Sequence, residues 1–450
     1  MTMIHHDFAS ALPRMAVAAR GEEQPAPRLV QLNEELACQL GLDPQWLRSE
    51  EGLDFLLGRG SEPAHALAYA GFQFGQFNPS MGDGRALLLG EVTGPTTAYN
   101  PAGLWDLHAK GTGPTPFSRW GADGRGTLRS MLREYLNAEA MHALGIPTTR
   151  SLAVIATGRK IQRQVVEEAG VHVRVAASHL RVGSFHYAAL HPELLEPLAS
   201  YAIARHTPGS TARELFTGVM HAQVRTVAAW QHVGFIHGVM NTDNTTISGE
   251  TIDYGPCAFL GTYDPNACFS SIDTQGRYRF GAQPEILGWN LARLAESLLP
   301  LLGDTPDEAL AWAQEEINTF GERFAAAERR ELAARLGIPE DEPQLAADYL
   351  ALLRRYRPDL TLANAALASA SPTAPTYWHD EDFLARYARQ ATQAHVPRVI
   401  PRPHLVEQAL VDRDAFAELL TAVTHPFDTP ANPALMEPRS LEGYLTYCGT

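Results

Sequence analysis

The sequence predicts an α+β protein of two lobes, on three observations. Strand-like apolar runs punctuated by glycine fill much of the first 190 residues. Leucine- and alanine-rich stretches of helical character dominate beyond residue 285. A dense polar motif, residues 237–256, stands where the two parts meet. With 450 residues, 45% of them hydrophobic, the chain can bury a large core or two lobes with a cleft between them. The expected division is a leading segment over 1–60, a mixed N-lobe over 61–190 and a helical C-lobe over 191–450.

Pro25, Pro27 and Arg28 precede a short helical stretch, 31–42. Glycine-rich runs at 71–75 and 82–85 lead into a buried strand, 86–92, and a second strand, 105–110, closes on Lys110. Leu128, Met131, Leu132, Tyr135 and Leu136 recur at helical spacing and predict a helix over 127–144, stopped by Gly145 and Pro147. Two strands follow, 151–156 and 160–166. The capping-box pattern Thr211 to Glu214 opens a long helix whose apolar face runs from Leu215 to Trp230. The Pro/Ala/Ser-rich stretch 366–375 reads as an internal loop.

The totals narrow the function. No run of 18 apolar residues occurs, so no membrane span is expected, and the first residues lack the basic start of a secretory signal. A net charge of -15 disfavours nucleic acid as a partner. Cys38, Cys257, Cys268 and Cys448 are scattered without a CxxC, which argues against structural zinc and fits a reducing, cytoplasmic setting.

The junction motif carries the chemistry. Thr245 to Ile247 and Thr251 to Ile252 are β-prone, and Ser248-Gly249 suits a two-residue turn between them. That register would set Asn244 opposite Asp253, about 5 Å apart at Cβ. An amide oxygen and a carboxylate at that separation could share one hard cation. Asp243, beside them, is placed to accept a proton from an incoming hydroxyl. A solvated hairpin with ordinary Asx turns is the alternative, made weaker by the apolar helix that runs into the motif.

A triphosphate would need cations and backbone donors. Gly82, Gly84 and Arg85 offer a flexible turn and a guanidinium, and Lys110 closes a strand beside further glycines. Glu134, on the following helix, is the natural counter-ion for Lys110. Asp123-Gly124 could touch the nucleotide or be a plain turn. Arg174 and Arg181 lie in an apolar stretch, as inward-facing phosphate ligands would, with strand-edge charge as the alternative. Together these parts are the inventory of a protein-kinase-like site. The usual glycine-loop signature is missing, no HRD is followed five residues on by Asn, and the arginines are extra.

These motifs resemble those of the selenoprotein O family, kinase-like protein adenylyltransferases. The resemblance spans nearly the whole chain and is most specific at 81–86, 110–116, 144–150, 181–185, 237–244 and 252–256. It implies ATP bound in a reversed pose and AMP passed to a Ser, Thr or Tyr hydroxyl of a protein, with pyrophosphate leaving. By motif it makes Asp243 the proton acceptor, and Asn244 and Asp253 the ligands of Mg²⁺ or Mn²⁺. Gly82, Gly84, Arg85, Lys110, Asp123, Gly124, Arg174, Arg181 and Asp253 would hold the nucleotide, with Glu134 positioning Lys110. Ordinary phosphoryl transfer, UMP transfer from UTP and an inactive nucleotide-binding scaffold are the competing readings, and a monomer is expected. Phe72 and Gly261 depart from the family's usual histidine and acidic residue. The ending Tyr447-Cys448-Gly449-Thr450 resembles the cysteine version of the family's selenocysteine tail, which implies redox linkage, with a Cys448–Cys257 disulfide.

Overall fold

The computed structural model describes residues 3–369 and 378–447. Twelve strands are formed among them: β1 (Ala16–Ala19), β2 (Arg28–Leu32), β3 (Ala64–Leu67), β4 (Gly71–Gln73), β5 (Gln76–Asn78), β6 (Ala86–Thr93), β7 (Leu104–Lys110), β8 (Gly126–Thr127), β9 (Arg150–Gln162), β10 (Val166–Ala176), β11 (Phe235–Ile236) and β12 (Ala258–Phe259). Eight build one sheet in the order β1-β3-β6-β7-β10-β9-β2, with β8 alongside β10. The sheet takes both of its edge strands from residues 1–60. β4 and β5 form a separate hairpin.

The helix Leu128–Ala143 crosses the sheet between β8 and β9, its first turn capped by Thr127. From Val182 onward helices dominate, and the Ala212–Val233 helix is the longest of those described. Thr211 and Glu214 form the expected capping box at its start, and Gly234, at φ 73, ends it in the left-handed conformation. A sheet-rich first part and a helical second part together make the α+β fold that the sequence predicts.

Three expectations change. The helix expected over 31–42 is the end of β2 followed by a shorter helix, Glu34–Gln39, because the Asn33 side chain accepts from Leu36 N–H and caps it there. The strand expected at 151–156 and the start of the one expected at 160–166 are one strand, β9, which ends at Gln162; residues 163–165 turn and Val166 opens β10. Gly158, at φ 74, approaches Ala26 closely and coincides with a register shift against β10, so this glycine marks a bulge and not a break. The loop expected over 366–375 begins inside the helix Leu360–Ala368, and most of the rest lies outside the described residues.

The C-terminal helices return to the N-lobe. Leu405, Val406 and Leu419 pack on Met131, Tyr135 and Leu136 of the Leu128–Ala143 helix. Arg129 and Arg133 both pair with Glu407, which also accepts from Tyr444 Oη at 3.1 Å.

Candidate active site

Alternation along β7 places Asp106, His108 and Lys110 on one face and Leu107 and Ala109 on the other. β10 runs antiparallel beside it, with His172 opposite Lys110 and Arg174 opposite His108. Lys110 and Arg174 therefore project from the same face. Glu134 reaches them from the helix Leu128–Ala143, and Asp253 from the segment before β12. Lys110 Nζ bonds both carboxylates. Arg174 Nη2 lies 3.0 Å from Glu134 Oε2 and 2.7 Å from Asp253 Oδ1.

Two cations and two anions thus balance in one cluster. Asp253 is its most accessible member, with a side chain 25% exposed. Burial opposes its ionisation, but the Arg174 and Lys110 charges outweigh burial and hold the carboxyl well below its usual range. Glu134 is lowered likewise, with Lys110 then Arg174 overcoming burial. Asp253 has φ 64, a left-handed backbone unusual for a residue with a Cβ. Its neighbours are pinned on both sides. His237 Nε2 lies 2.8 Å from Ile252 O, and Tyr254 Oη bonds Thr148 Oγ1.

Asp243 and Asn244 lie in a 3₁₀ turn, Thr242–Asn244. The hairpin register expected around them is not formed. Thr246 bridges to Arg181 and Thr251 to Thr148, while Thr246 Oγ1 donates to Glu250 O at 2.7 Å and closes a tight loop. The β-prone residues find partners on distant segments, which local propensity cannot indicate. What joins the two sides is His237: it holds Ile252, and its Nδ1 accepts from Val239 N–H, whose carbonyl accepts from Asn244 Nδ2 at 3.0 Å. With its amide nitrogen so engaged, Asn244 Oδ1 is left to bind something else. Asp243 Oδ1 is buried without a hydrogen bond. Burial pushes Asp243 up to about 6, against Arg181.

Arg181 caps the helix Val182–Ala189 and stacks over Tyr69, 4.4 Å from the ring centroid. It also lies 3.6 Å from Asp83, whose Oδ2 bonds His108 at 2.9 Å. Gly82 has φ 138, and a Cβ there would sit 2.5 Å from the Phe117 ring. The Arg85 carbonyl accepts from Gly111 N–H at 2.7 Å and so ties the glycine turn to the end of β7. Asp123 is paired with Arg163 at 2.9 Å, and Gly124 packs against Gly113. No hydrogen bond joins Asp123, Gly124 or Arg85 to the Lys110 cluster among the described residues.

The donor set fits a divalent metal that arrives with a nucleotide. Asn244 Oδ1 and the Asp253 carboxylate are hard oxygens. No group of three or more His, Cys, Asp or Glu suited to a metal occurs among the described residues. Phosphate oxygens and water would then have to complete the shell.

Sequence reasoning missed the supports: Asn290, which donates to Met240 O (3.0 Å) and Thr245 Oγ1; Gln283, which holds His237 N–H at 2.9 Å; and Tyr278, bonded to Asn241. All are polar residues in helical or loop segments; Asn290 stands out as polarity inside an apolar stretch, whereas Tyr278, between Arg277 and Arg279, carries no such signal. Cys257 is buried, its thiol pushed up to about 12 by burial. The described tail reaches it, since Thr446 Oγ1 donates to Pro256 O at 2.7 Å, but Cys448 lies outside the described residues.

The family model described as Protein adenylyltransferase SelO matches residues 4–394. The chain belongs to the SelO family. Relatives named Protein nucleotidyltransferase YdiU agree over nearly full length. The one from Corynebacterium efficiens is 50% identical, covering 98% of this chain and 95% of the relative. That from Corynebacterium glutamicum (strain R) is 51% identical, covering 99% and 98%. That from Rhodococcus jostii is 45% identical, covering 98% and 94%. As a SelO-family protein the chain is a nucleotidyltransferase. Among solved structures, a Toxoplasma gondii rhoptry antigen kinase domain is 14% identical over 66% of this chain and 86% of its own, with TM-score 0.26. WaaP in complex with acyl carrier protein gives 14%, 68%, 98% and TM-score 0.23. Both likenesses are loose. No described helix is long and apolar enough to cross a membrane.

Proposed function

We propose that this SelO-family enzyme transfers AMP from ATP to Ser, Thr or Tyr hydroxyls of proteins, with Mg²⁺ or Mn²⁺ bound by Asn244 and Asp253. The observation that carries the reading is the pair Arg174 and Arg181 beside Lys110 and Asp253. A kinase-like site needs one lysine against its phosphates. Here two further guanidiniums are buried near Asp253, Arg174 bonded to it and Arg181 within electrostatic reach of it, as a differently laid triphosphate would require.

The metal, when bound, would neutralise charge on the phosphates and stabilise what develops in the transition state. Lys110, Arg174 and Arg181 would hold phosphate oxygens, and Glu134 would keep Lys110 aimed. The Gly82–Gly84 turn would allow close backbone approach, and Arg85, Asp123 and Gly124 would add contacts to the nucleotide. Asp243 takes the proton of the acceptor hydroxyl as that oxygen bonds the α-phosphorus. The bond from the α-phosphorus to the bridging oxygen breaks, and pyrophosphate leaves with the electron pair. Labelling by α-³²P-ATP but not γ-³²P-ATP is the expected result with the full-length chain and a protein acceptor. Label from the γ position alone would establish ordinary phosphoryl transfer instead. Stronger labelling from α-³²P-UTP at equal concentration would change the donor.

A further inference from the structure

The β4–β5 hairpin lies over Asp243. Gly71 fits so closely that an added Cβ would stand 3.0 Å from Asp243 Oδ1. Phe72 N–H donates to Thr242 Oγ1 at 2.8 Å, and Phe74 N–H donates to Asn241 Oδ1 at 3.0 Å. Tyr278 Oη donates to the same Asn241 oxygen at 2.6 Å. The Phe72 ring packs edge-on to His186 and Trp289, so that position serves as an aromatic anchor. Phe74, at φ 51, completes a tip fixed by long-range bonds.

Between these anchors stands Gln73. Its Oε1 accepts from Arg119 Nη2 at 2.7 Å, and its Nε2 lies 3.5 Å from Asp243 Oδ2. Arginine has donors only, so the Gln73 oxygen must face Arg119, and the amide N–H groups must face the carboxylate. Arg119 belongs to the loop that covers the glycine turn. Thr115 Oγ1 donates to Asp83 O at 2.5 Å, Ser118 bonds Gly84 O, and Phe117 lies on Gly82. One loop thus touches both the glycine turn and, through Gln73, the candidate base.

We propose that Gln73 is a positioning residue for Asp243. Its amide holds Oδ2 and sets the rotation of the carboxylate, whose Oδ1 lies buried against Gly71 without a hydrogen bond. Arg119 fixes the amide in that orientation. The inference rests on the reading of Asp243 as proton acceptor.

The test is a double-mutant cycle with the full-length chain, ATP and Mg²⁺. Gln73→Leu should lower kcat about 10- to 100-fold, the scale of a misplaced catalytic group, and leave KM for ATP unchanged. Gln73→Glu should fall as far: it keeps an acceptor for Arg119 but offers Asp243 no donor, whereas a merely structural role would be rescued by it. In an Asp243→Ala background Gln73→Leu should have no further effect. Activity of Gln73→Leu within about twofold of wild type, recovery in Gln73→Glu, or an equal loss in the Asp243→Ala background would overturn the proposal while leaving Asp243 as base. Wild-type turnover in Asp243→Ala itself would overturn the base assignment and the proposal with it.

Discussion

Asp253→Ala should abolish metal-dependent nucleotide binding, with affinity falling at least about 100-fold, since even outer partners of metal ligands are worth 10- to 100-fold. Asp253 is the one carboxylate of the proposed metal pair, and the most accessible member of the Lys110–Glu134–Arg174 cluster. Its removal leaves two buried cations facing Glu134 alone, an imbalance worth about 3–5 kcal/mol in buried pairs. Asp253→Asn is the companion variant, because it keeps the shape while removing the charge. Calorimetric titration of each with ATP, with and without Mg²⁺, decides the matter: a metal-dependent affinity equal to wild type would refute the assignment.

Asp243→Ala should behave differently, sparing nucleotide affinity and cutting transfer by about 10²- to 10⁴-fold, the usual contribution of a general base. The pH dependence has a definite sign. The base works ionised, and its carboxyl is pushed up to about 6, chiefly by burial, with Asp253 adding and Arg181 opposing. Transfer should therefore be lost as pH falls through that value and regained above it. Metal at the neighbouring Asn244 would draw the limb lower. A pH–rate profile flat between about 5 and 8, the range in which such a group titrates, would count against Asp243, as would equal turnover in the variant.

Much of this was legible in the sequence because it depends on local pattern. The run Trp105–Lys110 reads as a strand with Lys110 at its end, and helical spacing gave the helix that presents Glu134. The break expected between 156 and 160 is absent because Gly158 sits in a bulge, which looks like a turn locally. The hairpin at 245–252 was misread for a different cause. Its β-prone residues pair with Arg181 and Thr148, 65 and 103 residues earlier in the chain. Asn244 and Asp253 are joined through His237 rather than across a ladder. Gln73 lies within the glycine-rich run 71–75, but its partner Arg119 is 46 residues away, and only the fold brings it near.

The C-terminal helices packed on the Leu128–Ala143 helix bear on regulation. In protein kinases the helix carrying the glutamate is positioned as part of activation, making and breaking its ion pair with the lysine. Here Glu407 grips that helix through Arg129 and Arg133 from the outside, and the Leu405–Leu419 layer seals it. These contacts brace the helix that carries Glu134 from its outer side. Amide hydrogen exchange over 128–143 should accordingly be slow with and without nucleotide; fast exchange relieved by ATP would reveal a moving helix after all.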